Sequence, residues 1–420
     1  MKKNIFIIVL ISAVTISAQW QISAKRLKTD FVLSAQQAAF DSQIKSEISA
    51  LAQRTNYVKV KKRVEAALYK AALYFIKTPE LEKIIVNILR GNPEQNKSLA
   101  IRTIITAKTL YPNKFEEEIE SLFNNTRDAE LAVYSLYYLR ENNFPDSLLL
   151  GKLKSKFPES KNLLVKLAME NLSEKFIPLT SGELSELFGK SFLKNKLVIF
   201  TFLRHDRSVP GITFIRKPNG EFLSDSDSTL SAIPQLGYSV TNLPYFLEDG
   251  NTPQGLFSFQ GFYQSKKKTI GPTPALITRL PFEITPEKFS FIKLHDKLWS
   301  LDAYKKLLSQ KTREDKRFAQ TFFAGKLGRS KLVVHGSTDN PKYYNHESYY
   351  PLTPTTGCLS SVELWDDTTG KNVRSDQLKL VNMILRSGRR KGFLLVAEID
   401  DKHSPITKNE ISNLIRKFSN

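Results

Sequence analysis

The chain has 420 residues, with 41% hydrophobic and 11% aromatic side chains. That composition excludes a disordered chain, and the length exceeds one ordinary core, so two domains are expected. Lysine and arginine number 62 against 42 acidic residues, a formal charge of +20. Residues 251 to 350 alone hold 17 Lys/Arg and 8 Asp/Glu. This excess suits an anionic partner. One cysteine, Cys358, excludes an intramolecular disulfide, and five scattered histidines lack metal-ligand spacing, so no metal site is expected.

Residues 1–18 read as a secretory signal peptide: Lys2-Lys3, the apolar run Ile5 to Val14, then Ile16-Ser17-Ala18. The run is shorter than a membrane span, so the remaining chain is expected in the periplasm or cell envelope and not as an integral membrane protein. Residues 25–177 read as helices. Val64, Ala67, Leu68, Ala71, Ala72 and Phe75 form one apolar face, and Thr78-Pro79-Glu80 ends that helix and starts the next. Further helices are expected near Glu94, Lys114, Arg127, Asp146 and Lys161. Pairs begin about 33 residues apart, which suggests a short array of helical hairpins. Such an array either presents a face to an envelope protein partner or caps the second domain.

From 178 the pattern changes to strands. Leu197 to Leu203 is a continuous apolar run, and Pro218-Asn219-Gly220 marks a hairpin. Thr252 to Phe257 reads as a turn feeding a strand. Residues 266–330 read as an insertion with helices around 300–322, either a wall of a groove or a solvated decoration. After the cysteine, Asp376 to Leu385 and Thr407 to Phe418 are expected helices, with a strand over Gly392 to Ile399.

The chemistry centres on residues 331–361. A thiol attacks as thiolate, and with a reference pKa of about 8.5 it needs a base or a cation beside it. His335, followed by Gly336 at a strand end, is the candidate base, and the amides of Gly357 and Cys358 are candidate donors to an oxyanion. His346 in the Tyr-rich loop is a rival base. His205 is expected to pair with Asp206; His295 and His403 carry no motif.

These blocks resemble the L,D-transpeptidases with a YkuD-type catalytic domain. His335-Gly336-Ser337 matches one block, Thr355, Gly357, Cys358 and Leu359 the second, and Thr252-Pro253-Gln254-Gly255-Leu256-Phe257 the third. Thr356 stands where that family has a second histidine, and Ser360 where it has arginine or asparagine. The chain is thus expected to be multi-domain α+β: the helical hairpin repeats over 25–177, which match nothing in that family, then the mainly-β catalytic domain over 178–420 that the resemblance implies. The same resemblance implies a Cys358 nucleophile, a His335 base, a Gly336 carbonyl that orients the imidazole, and substrate contacts from Thr356, Ser337 and Tyr350. The implied substrate is a peptidoglycan stem peptide, cross-linked 3-3 through a thioester without cofactor or metal, and nucleic acid is not an expected partner. Two alternatives stay open: an L,D-carboxypeptidase in which water resolves the thioester, and a non-catalytic envelope scaffold working through its helices.

Overall fold

The computed structural model describes residues 23, 26–293 and 297–418. The expected signal peptide and His295 lie outside the described residues. The first region is built from α1 (Ser34–Ala52), α2 (Lys61–Leu73), α3 (Pro79–Leu89), α4 (Lys97–Leu110), α5 (Glu116–Asn125), α6 (Ala129–Glu141), α7 (Asp146–Lys156) and α8 (Leu163–Ser173). Several starts are fixed locally. Thr78 accepts from the Leu81 amide with Pro79 in the first turn of α3, and Asp128 and Asn162 cap α6 and α8 in the same way.

Helices α2, α4, α6 and α8 pack in succession, and their starts step by about 34 residues, the period of a helical-hairpin array. Polar ties repeat the step: Ser98 to Glu65, Thr126 to Glu94, Lys108 to Glu141 and Tyr137 to Asn171 each join one hairpin to the next. Helix α6 is buried all round from Leu131 to Leu139, as a helix must be when neighbours cover every face. One of its neighbours comes from the second region. Leu243, Phe246 and Leu247 join the helical core, the Glu248 amide donates to Tyr134 Oη at 2.9 Å, and Lys108 Nζ donates to the Thr241 carbonyl at 2.9 Å. Part of the inner helical layer is therefore occupied by the chain's own loop.

The second region contains α9 (Ser181–Phe188), β1 (Val198–Arg204), β2 (Gly211–Arg216), β3 (Ala232–Gln235), β4 (Gly255–Tyr263), β5 (Ala275–Arg279), α10 (Pro286–Ser290), α11 (Leu301–Lys305), α12 (Gln310–Arg313), α13 (Gln320–Lys326), β6 (Val334–His335), β7 (Leu359–Ser360), β8 (Glu363–Trp365), β9 (Asn372–Ser375), α14 (Asp376–Arg386), β10 (Gly392–Asp400) and α15 (Lys408–Phe418). Among the described residues the main sheet has the order β3-β2-β1-β10-β4-β5-β6-β7, and β8-β9 form a separate pair. Only β1/β10 and β6/β7 run parallel. The central strands are covered on both faces: Val198, Phe200 and Phe202 enter one apolar cluster, Leu197, Ile199 and Leu203 the other. This is why residues 197–203 read as a continuous apolar run and not an alternating one. The chain is an α+β, multi-domain protein.

The insertion is not a solvated decoration. Tyr304, Phe318 and Phe322 are buried in the core, and the Tyr304 hydroxyl accepts from the Leu256 amide at 2.8 Å and donates to the Phe318 carbonyl at 2.7 Å. It closes the edge left where β4 begins.

Candidate active site

The short parallel pair β6/β7 brings the two blocks of residues 331–361 together. Val334 pairs with Leu359 and His335 with Ser360, the Ser361 amide donates to the His335 carbonyl at 3.0 Å, and the Val333 amide donates to Cys358 Sγ at 3.4 Å. The sulfur also faces the Lys331 carbonyl at 3.8 Å, and the His335 imidazole lies near enough that each group shifts the titration of the other. The turn before β7 is pinned at several points. Gly357 has φ +117°, and a Cβ there would run into the Arg329 guanidinium. Thr355 Oγ1 donates to the Cys358 carbonyl at 2.8 Å and accepts from the Gly357 amide at 3.1 Å. Thr252 Oγ1 donates to the Gly357 carbonyl at 3.0 Å, so the Thr-Pro-x-Gly-x-Phe block touches the cysteine block directly. One expectation is corrected here: the Gly357 amide is already engaged by Thr355, which leaves the Cys358 amide as the oxyanion donor of that pair.

His335 is buried, and its Nδ1 lies 2.5 Å from the Gly336 carbonyl. A carbonyl only accepts, so Nδ1 carries the proton and Nε2 is left for the thiol. Gly336 is required by a close approach: a Cβ would fall on the carboxyl carbon of Glu363. Burial pushes the Glu363 carboxyl up to about 7, although Ser375 Oγ donates to it at 2.6 Å. Burial likewise pushes Asp339 up to about 6, against hydrogen bonds from Ser337 and from Tyr74, just past the end of α2.

Burial alone would raise the Cys358 thiol, but the His335 hydrogen bond and charge, the Val333 amide and the Arg329 charge outweigh it and hold the thiol below its usual range. Burial alone would lower His335, and the facing sulfur and the Gly336 carbonyl reverse that, so the imidazole lies above its usual range. Each shift favours the charged form of its group, and the thiolate is the form that attacks carbonyl carbon. Arg329 is a buried cation held by the carbonyls of Tyr245, Asn251 at 2.9 Å and Gly250 at 2.7 Å. No motif marks it.

The other expected site residues divide. Thr356 lies beside the Tyr69 hydroxyl of α2 and opposes the rise that burial gives that hydroxyl. Ser337 is buried, within reach of Asp339 Oδ2 at 2.9 Å and the Thr269 carbonyl at 3.2 Å. It is a strut of the fold and not a substrate contact. Tyr350 is 47% exposed and has no hydrogen bond to the His335 or Cys358 blocks among the described residues. His346 is exposed and is not among the groups that shift the Cys358 thiol. His205 pairs with Glu398 at 3.0 Å and not with Asp206, because β10 lies beside β1; Asp206 is taken by His403 at 2.9 Å.

Sequence reasoning missed Tyr69, Asp339, Glu363 and Arg329. A buried aspartate two residues after Ser337 and a glutamate just past β7 are the only local hints, since acids are seldom fully buried without a purpose. Among the described residues no group of three or more acidic, His or Cys side chains could hold a metal ion, and no helix is long and apolar enough to cross a membrane. Comparison with protein-family models, with curated proteins and with solved structures finds no match for this chain.

Proposed function

We propose that the protein is a cysteine acyltransferase of the envelope, a peptidoglycan L,D-transpeptidase acting on stem peptides. The observation that carries this reading is the Cys358–His335 pair, with Nδ1 fixed on Gly336 and the thiol lowered by its partner. The order of the three blocks, which resemble that family, supplies the substrate. Cys358 thiolate attacks the carbonyl between the third residue of a stem peptide and its terminal D-alanine; the C–S bond forms, the C–N bond breaks, and His335 gives its proton to the departing amine. The Cys358 amide faces the developing oxyanion. An acceptor amine from a second stem then attacks the thioester, His335 takes the amine proton, and the thiol is regained with a 3-3 link formed. Water in the acceptor's place would make the same site an L,D-carboxypeptidase.

Intact-mass measurement with a carbapenem, a class of compound that acylates this family, tests the reading. An adduct is expected on the wild-type chain and absent from Cys358→Ala. A folded wild-type protein that takes no adduct would leave the helical array as the working part, an envelope scaffold. Muropeptide products then separate transfer from hydrolysis.

A further inference from the structure

A cavity of about 630 Å³ lies where α2 and α4 meet the loop between β4 and β5, with Tyr69, Lys70, Arg102 and Lys267 in its wall. Its size suits a short peptide segment. It adjoins the site on two sides. The Thr269 carbonyl at its edge accepts from the Thr338 amide at 3.0 Å and lies 3.2 Å from Ser337 Oγ, two and three residues past the His335 base. On the other side the Tyr69 hydroxyl lies beside Thr356, next to the Gly357-Cys358 turn, and near enough to feel the Cys358 charge. The Arg102 guanidinium lies over the Tyr69 ring at 5.3 Å and pairs with Asp249, whose neighbour Gly250 packs against Gly357.

The charges in this wall do not cancel. Arg102 is satisfied by Asp249, and Glu65, the one acid lining the cavity, accepts from Ser98 Oγ at 2.7 Å. Lys70 and Lys267 have no ion-pair partner among the described residues. Two ammonium groups from different regions, one of them 5.8 Å from the Phe40 ring, thus line one concave space against the single unpaired carboxylate of Glu65, and the net positive charge attracts an anion.

We propose that this cavity is a carboxylate-binding subsite: Lys70 and Lys267 hold a carboxylate of the peptide whose carbonyl Cys358 attacks, and Tyr69 forms the boundary between subsite and sulfur. The proposal rests on Cys358 being the nucleophile. It makes the helical repeats a specificity element of the active site, because Tyr69 and Lys70 belong to α2.

The test is the rate at which Cys358 is alkylated by iodoacetate and by neutral iodoacetamide, read by intact mass on the full chain. The ratio of the two rates measures attraction of a carboxylate, independent of how reactive the sulfur is. In Lys70→Glu/Lys267→Glu the ratio is expected to fall about tenfold, in Lys267→Glu alone about threefold, and in Lys70→Arg/Lys267→Arg to stay near wild type. The single change at the exposed Lys267 guards against misfolding of the pair. A ratio unchanged within about twofold in both charge-reversed variants overturns the subsite. If folded wild-type protein reacts with neither reagent while urea-unfolded protein reacts with both, the nucleophile reading fails first and takes the subsite with it.

Discussion

The helical repeats and the β6/β7 site are held together by contacts of opposite kinds. In the repeats each polar tie joins residues a little over thirty apart and recurs with the repeat, as in Lys108 to Glu141 and Tyr137 to Asn171. At the site the ties are singular and far apart in sequence: Tyr74 reaches Asp339, Tyr344 reaches the Leu73 carbonyl, and Thr252 reaches Gly357. A periodic stack loses one neighbour's worth of packing when one position fails. A site assembled from single long-range contacts has no such redundancy, so its substitutions are expected to change chemistry before they change stability.

The sharpest break in that comparison is at the sulfur. Cys358→Ala is expected to abolish acylation, and His335→Gln to slow alkylation of Cys358 at pH 7 by on the order of 10²- to 10⁴-fold, measured by stopped-time mass spectrometry. The melting temperature should change little in either. In the stack the reverse holds. Leu136→Ala, at a fully buried position of α6, should cost about 2–5 kcal/mol in urea unfolding and leave the pH profile of Cys358 alkylation where it was.

The pH profile sharpens the comparison further. Cys358 is lowered, so its alkylation should rise along a limb below the ~8.5 of a free thiol, and in His335→Gln that limb should move up, because only the Val333 amide and the Arg329 charge are left to oppose burial. For stability the signs are these: the depressed thiol contributes above its unfolded pKa and loses that contribution as pH falls through its folded value. The raised imidazole contributes below its unfolded pKa and loses it as pH rises through its folded value.

The smallest effect concerns Asp339. Its carboxyl, raised by burial to about 6, holds its proton more tightly in the folded chain, so its contribution to stability falls as pH rises through that value. Asp339→Asn should flatten the fall in unfolding free energy between about pH 4 and pH 6, by on the order of 1–3 kcal/mol. An unchanged slope would show that Asp339 is not the group losing its proton there.

Much of the first region was legible because its rules are local. Thr78-Pro79 starts α3 as its sequence requires, and the Val64 to Ala72 face is the buried face of α2. The pairing of His335 with Cys358 was legible for a different reason: His-Gly and Gly-Cys carry backbone demands, a close approach to Glu363 and a positive φ, that few other residues meet. The tyrosines were not legible. Tyr343 and Tyr344 read as a loop near the substrate, yet one bonds Asp41 at 2.5 Å and the other the Leu73 carbonyl at 2.8 Å, docking the loop onto the helices. Nor could sequence show that Ser337 is spent on Asp339, or that His205 would meet Glu398 across the parallel pair β1/β10.

By itself, then, the sequence determined the elements: periodic apolar faces, caps, the buried strand run, and the two glycine-flanked blocks that carry His335 and Cys358. Only the tertiary structure decided what surrounds them. It set Arg329 near the sulfur, Glu363 under Gly336, and Tyr69 and Lys70 of a distant helix at the edge of the site. The physical reason is range. Propensity and capping act over a few residues, whereas burial and charge depend on whichever segments the fold brings alongside, and these come from hundreds of residues away.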